Sequence, residues 1–292
     1  MRENPRYGPV PMNAREQFER DGFVVVDKLL TADELAHFEP LVTRAVHERS
    51  GADLRPQGER SPYEQSFQQC MNLWEDYPDI RPLTFHQRIG EAAAALLGAD
   101  AIRLWHDQAL YKRAHGRETD AHQDQPYWPI AETDTITAWI PFQGSTLANG
   151  AMGYLPGSHQ AGVRKFQNIF QAESTDELLS RPELASIEPV YVEVPAGSVA
   201  FHAGMTVHMA KPNTTDDDRA VHTMIMFADG CTRGSDQWHF STERDEIKVG
   251  DVIAGPGTPI VWPRADGDYP DAPTPLPDVL HQFAAKGSLP SR

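Results

Sequence analysis

The sequence predicts a mainly β fold, a β-sandwich or barrel with helices packed outside it. From about Ile102 onward the hydrophobic pattern alternates in short runs bounded by Gly, Pro or Asn, which is typical of strands. The first hundred residues instead follow a helical period, interrupted by one short β-branched run. With 292 residues, of which 40% are hydrophobic, the chain can bury a sizeable core around these elements.

Three helices are predicted in the N-terminal part from the signals at their ends. A capping residue followed three positions later by glutamate marks a helix start, and a glycine just past the last apolar residue marks a helix end. These signals are Asn13 with Glu16 and Gly22 for the first helix, Thr31 with Glu34 for the second, and Gly98 after residues 87–97 for the third. A short strand, FVVVD, separates the first two helices.

Five segments are predicted to contain the strands of the β part. In DTITAWIPFQ, Ile136, Ala138 and Ile140 face one way, while Thr137 and Trp139 face the other. A polar insertion, QAESTDELLSRPELAS, is predicted to be partly helical. The five segments are RLWHDQALYKR, DTITAWIPFQ, GAMGYLPGSH, VYVEVPAGSVAFHAG and RAVHTMIMFADG.

The composition excludes several classes of protein. The formal net charge of -16 argues against a nucleic-acid partner and disfavours a highly anionic substrate. Two cysteines without a CxxC pairing make a disulfide framework or a cysteine-ligated metal improbable. The N-terminus lacks the apolar core of a signal peptide, and the apolar run AAAALLGADAI is too short to span a bilayer. We therefore expect a soluble cytoplasmic protein without a membrane partner.

A histidine and an aspartate two residues apart, His122 and Asp124, form the first candidate functional pair. On a strand, residues i and i+2 project from the same face, so both side chains could reach one point while Gln123 turns away. An imidazole and a carboxylate are two of the three ligands in the facial triad of non-haem Fe(II) oxygenases. By itself the pair fits a surface contact or a strand-end hydrogen bond equally well.

A histidine and an arginine in the second half raise the odds of a metal site. His208 is predicted to end one strand, and Arg219 to open the next after a polar turn, which would bring the two close together. A buried guanidinium is costly without an anion, and a carboxylate-bearing co-substrate beside the metal would supply one. His202 lies six residues before His208 and competes with it as a ligand.

The order of these motifs resembles the phytanoyl-CoA dioxygenase family. The matching segments are HQD (His122 to Asp124), AWIPF, GYLPGSH, FHAGMTVH and the arginine eleven residues after the last histidine. The resemblance covers roughly residues 18–229 and implies an Fe(II)- and 2-oxoglutarate-dependent oxygenase with a double-stranded β-helix, a distorted jelly roll braced by N-terminal helices. It predicts one domain over residues 1–292, with a helical part at about 13–100, a jelly-roll core at about 101–240 and an irregular proline-rich tail at 255–292.

The resemblance also implies the roles of individual residues. Carried over by position, the iron ligands are His122, Asp124 and His208, and Arg219 binds the distal carboxylate of 2-oxoglutarate. Trp139, Lys112 and Gln108 complete the predicted co-substrate pocket. Two positions depart from the family pattern without touching the ligands, Ala210 in place of a small hydroxyl residue and Ser198 after Gly197 in place of aspartate. The carboxylate at position 124 favours hydroxylation, because halogenating relatives replace it with a small residue.

The expected reaction consumes 2-oxoglutarate and O2, releases succinate and CO2, and most simply hydroxylates a small hydrophobic or amphiphilic metabolite. The acidic chain makes an acyl-CoA thioester a less attractive substrate. Four residues are candidates to contact the substrate, and each also has an ordinary structural reading as core or turn: Tyr127, Trp128, Asn149 and Met205.

Two other functions compete with this prediction. A cupin-like metalloenzyme could use the same three ligands without 2-oxoglutarate, in which case Arg219 would have no anion to bind. A non-enzymatic ligand-binding jelly roll would use the histidines structurally and bind no iron.

Overall fold

The computed structural model describes residues 13–51, 55–56, 59–167 and 178–274, and these form seven helices and eleven strands. The helices are α1 (Ala14–Asp21), α2 (Ala32–Ser50), α3 (Pro62–Ser66), α4 (Leu73–Asp76), α5 (Arg81–Thr84), α6 (Gln87–Leu97) and α7 (Phe240–Glu243). The strands are β1 (Phe23–Val26), β2 (Phe67–Met71), β3 (Ile102–Lys112), β4 (Thr119–His122), β5 (Thr135–Pro141), β6 (Met152–Tyr154), β7 (Val190–Val192), β8 (Val199–Ala203), β9 (His208–Ala210), β10 (Arg219–Ala228) and β11 (Ile260–Trp262). Among the described residues, no helix has the length and hydrophobicity needed to cross a bilayer.

The strands form two antiparallel sheets, which confirms the predicted β architecture. The larger sheet has the order β1-β8-β5-β10-β3-β11, with β2 also paired to β3. The smaller sheet has the order β4-β9-β6-β7. Because β8 and β9 are separated by a short turn and lie in different sheets, the chain crosses from one sheet to the other between Ala203 and His208.

The helices cover the outer face of the larger sheet. Phe38 and Val42 of α2 and Ile89 of α6 are buried in one cluster with Ile136 and Ala138 of β5. The alternation predicted for DTITAWIPFQ is therefore confirmed, since these aliphatic side chains face the helices. Their neighbours on the same strand are left to face the space between the sheets.

The predicted helix signals are confirmed with one exception. Thr31 accepts a hydrogen bond from the Glu34 amide at 3.1 Å, and the Glu34 carboxylate accepts one from the Thr31 amide at 2.7 Å, so the capping box is complete. The predicted cap at Asn13 is wrong, because its backbone is helical and its side chain makes no capping hydrogen bond. Gly22 ends α1 in the left-handed conformation.

Several strands escaped prediction because they are very short or lie far from their partners. Strands β2, β4, β9 and β11 have no strong alternating pattern, and the segment at 190–204 contains two strands that join different sheets. The expectation of a wholly irregular tail from residue 255 is wrong, since β11 pairs with the start of β3. Residues 171–177 of the predicted partly helical insertion lie outside the described residues, and 178–186 form turns.

A buried polar network fastens the small helices to the larger sheet. Asp107 of β3 accepts hydrogen bonds at its Oδ2 from the Thr84 hydroxyl at 2.7 Å and the Trp74 amide at 3.2 Å. The Nε2 of His222 lies 3.8 Å from the same oxygen, and both side chains are fully buried. Burial raises the pKa of Asp107 to about 7 and lowers that of His222 to about 3.

This network predicts a pH-dependent stability that Asp107 controls. Folding raises the pKa of Asp107 to about 7. The contribution of this group to the free energy of unfolding is therefore complete below about pH 4 and is lost as the pH rises towards 7. Asp107→Asn keeps a hydrogen-bond acceptor but cannot ionise, so the variant does not lose this contribution. The free energy of unfolding of the variant minus that of wild type should therefore be about 2–3 kcal/mol larger at pH 8 than at pH 5.

Urea unfolding at the two pH values measures this difference. Asp79→Asn, at an exposed aspartate near the same helices, controls for the loss of one surface carboxylate. An equal effect of Asp107→Asn at both pH values would contradict a neutral Asp107.

Candidate active site

Three potential metal ligands converge in the space between the two sheets. One ligand atom from each of His122, Asp124 and His208 lies within 4.8 Å of the others. The Oδ1 of Asp124 is 3.7 Å from the Nε2 of His122 and 3.6 Å from the Nε2 of His208. Two imidazoles and one carboxylate converging on one point match the facial triad that holds non-haem iron.

The register of the smaller sheet brings the two histidines together. His122 is the last residue of β4, His208 is the first residue of β9, and the two are direct partners in the antiparallel ladder. The expectation that His208 ends a strand is therefore wrong, although its proximity to the other ligands is confirmed.

Asp124 reaches the same point by a turn. The chain leaves β4 after His122, and Asp124 adopts a helical backbone conformation ahead of a 3-10 turn at Gln125–Tyr127. The explanation that both residues share a strand face is thus wrong, while their convergence is observed. Gln123 does turn away, and its side-chain amide donates to the carbonyl groups of Val163 and Met205.

The hydrogen bonds of the two histidines leave the correct nitrogen available to a metal. The Nδ1 of His122 donates to the Asp120 carbonyl at 2.8 Å, and the Nδ1 of His208 donates to the Thr206 carbonyl at 3.0 Å. Each Nε2 therefore carries a lone pair that faces Asp124. Burial lowers the pKa of both imidazoles to about 4, so they are neutral at pH 7 and can act as ligands.

The carboxylate of Asp124 is ionised despite its surroundings. Burial opposes its charge, but the nearby His208 and a hydrogen bond from His202 together hold its pKa below the usual range. The three ligands thus carry one negative charge in a space shielded from solvent. A divalent cation such as Fe(II) fits this charge and this donor set.

Two buried basic side chains without an acidic partner among the described residues mark a second part of the site. Lys112 of β3 and Arg219 of β10 are direct partners in the larger sheet, and both side chains are buried. Within the described part of the chain, neither is paired with a carboxylate, and the Nε of Arg219 has no hydrogen-bond partner. Burial, the main cause in both cases, lowers the pKa of Lys112 to about 6 and that of Arg219 to about 9.

Backbone carbonyl groups and aromatic rings hold these two cations in place. Arg219 donates to the Gly150 carbonyl and Lys112 to the Lys211 carbonyl. A Cβ on Gly150 would lie 2.9 Å from the Cδ of Lys112 and 3.2 Å from an Nη of Arg219, so only glycine fits there. The Arg219 guanidinium lies 4.9 Å from the Trp139 ring centroid. An anion with two or more oxygens would relieve the cost of burying the Arg219 charge and would favour protonation of Lys112.

Gln108 and Tyr127, predicted to line the co-substrate pocket and to contact the substrate respectively, both make hydrogen bonds within the protein. Gln108 lies on β3 four residues before Lys112, and its side-chain oxygen accepts from the Gln69 amide at 2.7 Å. Tyr127 donates its hydroxyl to the Gln167 carbonyl and packs edge-on against Phe166.

Trp128, Met205 and Asn149 were also predicted to contact a substrate. Trp128 is buried in a cluster that includes Trp105 and Ile130, and Met205 is buried in the turn between β8 and β9. Asn149 lies in a turn, where its side chain accepts from the Thr146 amide and donates to the Gly144 carbonyl.

Three residues of the site were not predicted to act in it. His202, which the sequence offered only as a competitor of His208 for the ligand position, lies with its Nε2 3.3 Å from the Oδ2 of Asp124. Thr137 donates to the same oxygen at 3.3 Å, and the Tyr154 hydroxyl lies 3.5 Å from the Nδ1 of His202. The alternation of β5 could have indicated Thr137, because it shares a face with Trp139.

Comparisons with known proteins place these features in a family. A family model described as Phytanoyl-CoA dioxygenase (PhyH) matches residues 18–221. A phytanoyl-CoA dioxygenase domain-containing protein 1 homolog of Dictyostelium discoideum is 30% identical over 129 residues, 42% of this chain and 46% of that protein. A phytanoyl-CoA dioxygenase of Arabidopsis thaliana is 29% identical over 169 residues, 57% of this chain and 59% of that protein. The aligned segments thus span about half the length of these two relatives.

A solved structure agrees over a larger share of the chain. The non-heme alpha ketoglutarate dependent carbocyclase SnoK from nogalamycin biosynthesis superposes with a TM-score of 0.72 at 26% identity. The match covers 86% of this chain and 96% of that one. The predicted double-stranded β-helix is thereby confirmed.

The three converging side chains predict a single site for a divalent metal. Titration of the protein with Co(II) without oxygen, followed by visible absorption, should saturate at one equivalent. His208→Ala removes one of three ligands and should weaken binding by about 100-fold or more, beyond the roughly 10–100-fold typical of outer partners. His37→Ala, at an exposed histidine of α2, is the control and should bind like wild type. Unchanged binding by His208→Ala would exclude this residue as a ligand.

Proposed function

The chain belongs to the phytanoyl-CoA dioxygenase family of iron- and 2-oxoglutarate-dependent oxygenases, and from this premise we propose that it hydroxylates a small-molecule metabolite. In the balanced reaction, substrate R–H, 2-oxoglutarate and O2 give R–OH, succinate and CO2. The observation that carries the proposal is the presence, between the same two sheets, of three convergent ligands and a buried pair of cations without an acidic partner among the described residues.

Tyr154 links the two parts of the site. Its ring centroid lies 6.4 Å from that of His208. Its pKa is raised by burial and by the charge of Asp124, and the charge of Arg219 opposes this rise, so the hydroxyl senses both ends of the site.

His122, Asp124 and His208 would hold the iron and leave its remaining positions open to small ligands. Bound iron would supply the activation of O2 and the oxidative decarboxylation of 2-oxoglutarate. The two neutral imidazoles and the ionised carboxylate require no proton to be displaced when the ion binds near pH 7. The burial of both histidines would limit the access of bulk water to the reacting atoms.

Arg219 and Lys112 would bind the distal carboxylate of 2-oxoglutarate. The guanidinium offers a planar set of donors, and its unpartnered Nε adds a hydrogen bond that the protein itself leaves unmade. The Trp139 ring against the guanidinium fixes its plane. A metalloenzyme that does not use 2-oxoglutarate would have no use for this arrangement, and this is the reason for ranking that alternative lower.

The substrate is proposed to be a small hydrophobic or amphiphilic metabolite. Tyr127, Trp128 and Met205 follow or precede the ligands closely in the chain and offer aromatic and apolar surface. The net charge of -16 does not favour a polyanionic thioester.

The solved relative at 26% identity is a carbocyclase from nogalamycin biosynthesis, which favours ring formation as the second candidate outcome. Mass spectrometry of the product distinguishes the two outcomes, since hydroxylation adds one oxygen atom and oxidative ring closure removes two hydrogen atoms.

Arg219 is predicted to be required for 2-oxoglutarate binding and not for metal binding. With Fe(II) and no oxygen, the wild-type protein should develop the visible charge-transfer band of a chelated keto acid, saturating at one equivalent of 2-oxoglutarate. Arg219→Gln loses a charge-assisted contact worth about 1.5–3 kcal/mol, so about 10–150-fold more 2-oxoglutarate should be needed.

Arg113→Gln, at the partly exposed arginine next to Lys112, is the matched control and should behave as wild type. A full band in Arg219→Gln at the wild-type concentration of 2-oxoglutarate would contradict the proposed carboxylate site. Unchanged Co(II) affinity would confirm that the loss is specific to the co-substrate.

The lowered pKa of Lys112 predicts that the protein takes up a proton when 2-oxoglutarate binds. Burial and the nearby Arg219 lower the pKa of this lysine to about 6, so it is mostly neutral at pH 7.5 in the free protein. A bound carboxylate favours the charged form and raises that pKa, which draws a proton from the buffer.

Calorimetric titration in phosphate and in Tris should therefore give different binding enthalpies, and Lys112→Met should remove the difference. The same enthalpy in both buffers for the wild-type protein would show that Lys112 keeps its protonation state.

A further inference from the structure

We propose that His202 is a positioning residue for the metal-binding carboxylate. It donates its Nε2–H to the outer oxygen of Asp124 and so keeps the inner oxygen directed at the metal position. This inference rests on the proposed function, because it concerns how the proposed ligand Asp124 is presented to the metal.

The two oxygens of Asp124 have different surroundings. Oδ1 faces the two ligand nitrogens at 3.6 and 3.7 Å. Oδ2 lies 3.3 Å from the Nε2 of His202 and 3.3 Å from the hydroxyl of Thr137. With two donors on Oδ2, the carboxylate is held with a single oxygen available to the ion.

The tautomer of His202 follows from the residue behind it. If Nε2 carries the proton that is donated to Asp124, then Nδ1 is an acceptor. The hydroxyl of Tyr154 lies 3.5 Å from this Nδ1. Burial and the charge of Asp124 raise the pKa of Tyr154, so its hydroxyl keeps its proton and can donate. Tyr154, His202 and Asp124 thus form one directional chain of hydrogen bonds.

Packing fixes the members of this chain. His202 is buried in β8, where the backbone pairs with Phe23 on one side and Thr137 on the other. Thr137 therefore comes to Asp124 from the neighbouring strand. The Tyr154 ring stacks on Phe23 with a centroid separation of 4.4 Å and an interplanar angle of 13°.

The position of His202 also decides between two roles for this residue. His202 shares a sequence motif with His208 and could have been the ligand in its place. In the structure the cluster of possible ligands contains His122, Asp124 and His208, and the Nε2 of His202 contacts Oδ2, the oxygen of Asp124 other than the one nearest the two ligand nitrogens. The residue therefore acts on the metal through Asp124.

The test is oxygen-free Co(II) titration of the full chain, with the dissociation constant and visible spectrum as readouts. His202→Leu removes the donor and should raise the dissociation constant by about 10–100-fold, the usual effect of losing such an outer partner. His202→Gln can place an amide donor near the same point and should return within about threefold of wild type. Tyr154→Phe should raise the constant by about 3–10-fold, because the second imidazole tautomer then becomes accessible.

His222→Leu is the control for loss of a buried histidine, since its ring lies in the core on the other face of the larger sheet. It should bind Co(II) as wild type does, and thermal unfolding of each metal-free variant checks the fold. If His202→Leu does not fold, the comparison of His202→Gln with Tyr154→Phe carries the test, and wild-type affinity in Tyr154→Phe then overturns the proposal.

The outcomes separate this inference from the proposed function. A folded His202→Leu that binds Co(II) with the wild-type constant and spectrum overturns the positioning role alone. A wild-type protein that binds no Co(II) overturns the ligand set, and with it the proposed function. Weak binding by His202→Leu that His202→Gln does not restore overturns the hydrogen-bond mechanism in favour of simple packing.

Discussion

Charge buried between two sheets is the constraint on which the rest of this structure depends. A largely shielded carboxylate lies on one side and a buried lysine and arginine lie on the other, yet no ion pair within the described chain joins the two sets. Burial of this kind costs free energy, which the hydrophobic packing of the helices on the outer face of the larger sheet has to offset. This cost is relieved if a cation binds beside the carboxylate and an anion binds beside the lysine and the arginine.

Strand pairing converts this constraint into geometry. The β4–β9 ladder places His122 opposite His208, and the β3–β10 ladder places Lys112 opposite Arg219. Each half of the site is thus a cross-strand pair in a different sheet, and the side chains are fixed by the backbone register. A slip of one residue in either ladder would turn one member of the pair to the opposite face.

The sequence alone indicates those parts of the site whose signals are local or chemically demanding. The capping box at Thr31, the helix at 87–97 and the need of Arg219 for an anion can all be read from nearby residues. The turn that carries Asp124 to the ligands and the contact from His202 depend on pairing between distant strands only a few residues long. Such strands leave almost no pattern, because three or four residues span less than two repeats of the alternation.

The two halves of the site also depend on each other energetically. A divalent ion would neutralise the Asp124 carboxylate and leave one excess positive charge, while Arg219 would neutralise only one carboxylate of a dicarboxylate co-substrate and leave the negative charge of the other. In a buried space these two residual charges attract each other, so the metal ion and the co-substrate would each strengthen the binding of the other by the same factor. Tyr154 lies where it senses both charges, and through His202 it also holds the carboxylate that receives the metal. The chain of hydrogen bonds behind Asp124 therefore keeps the metal end of the site in one arrangement whether or not the anion end is filled.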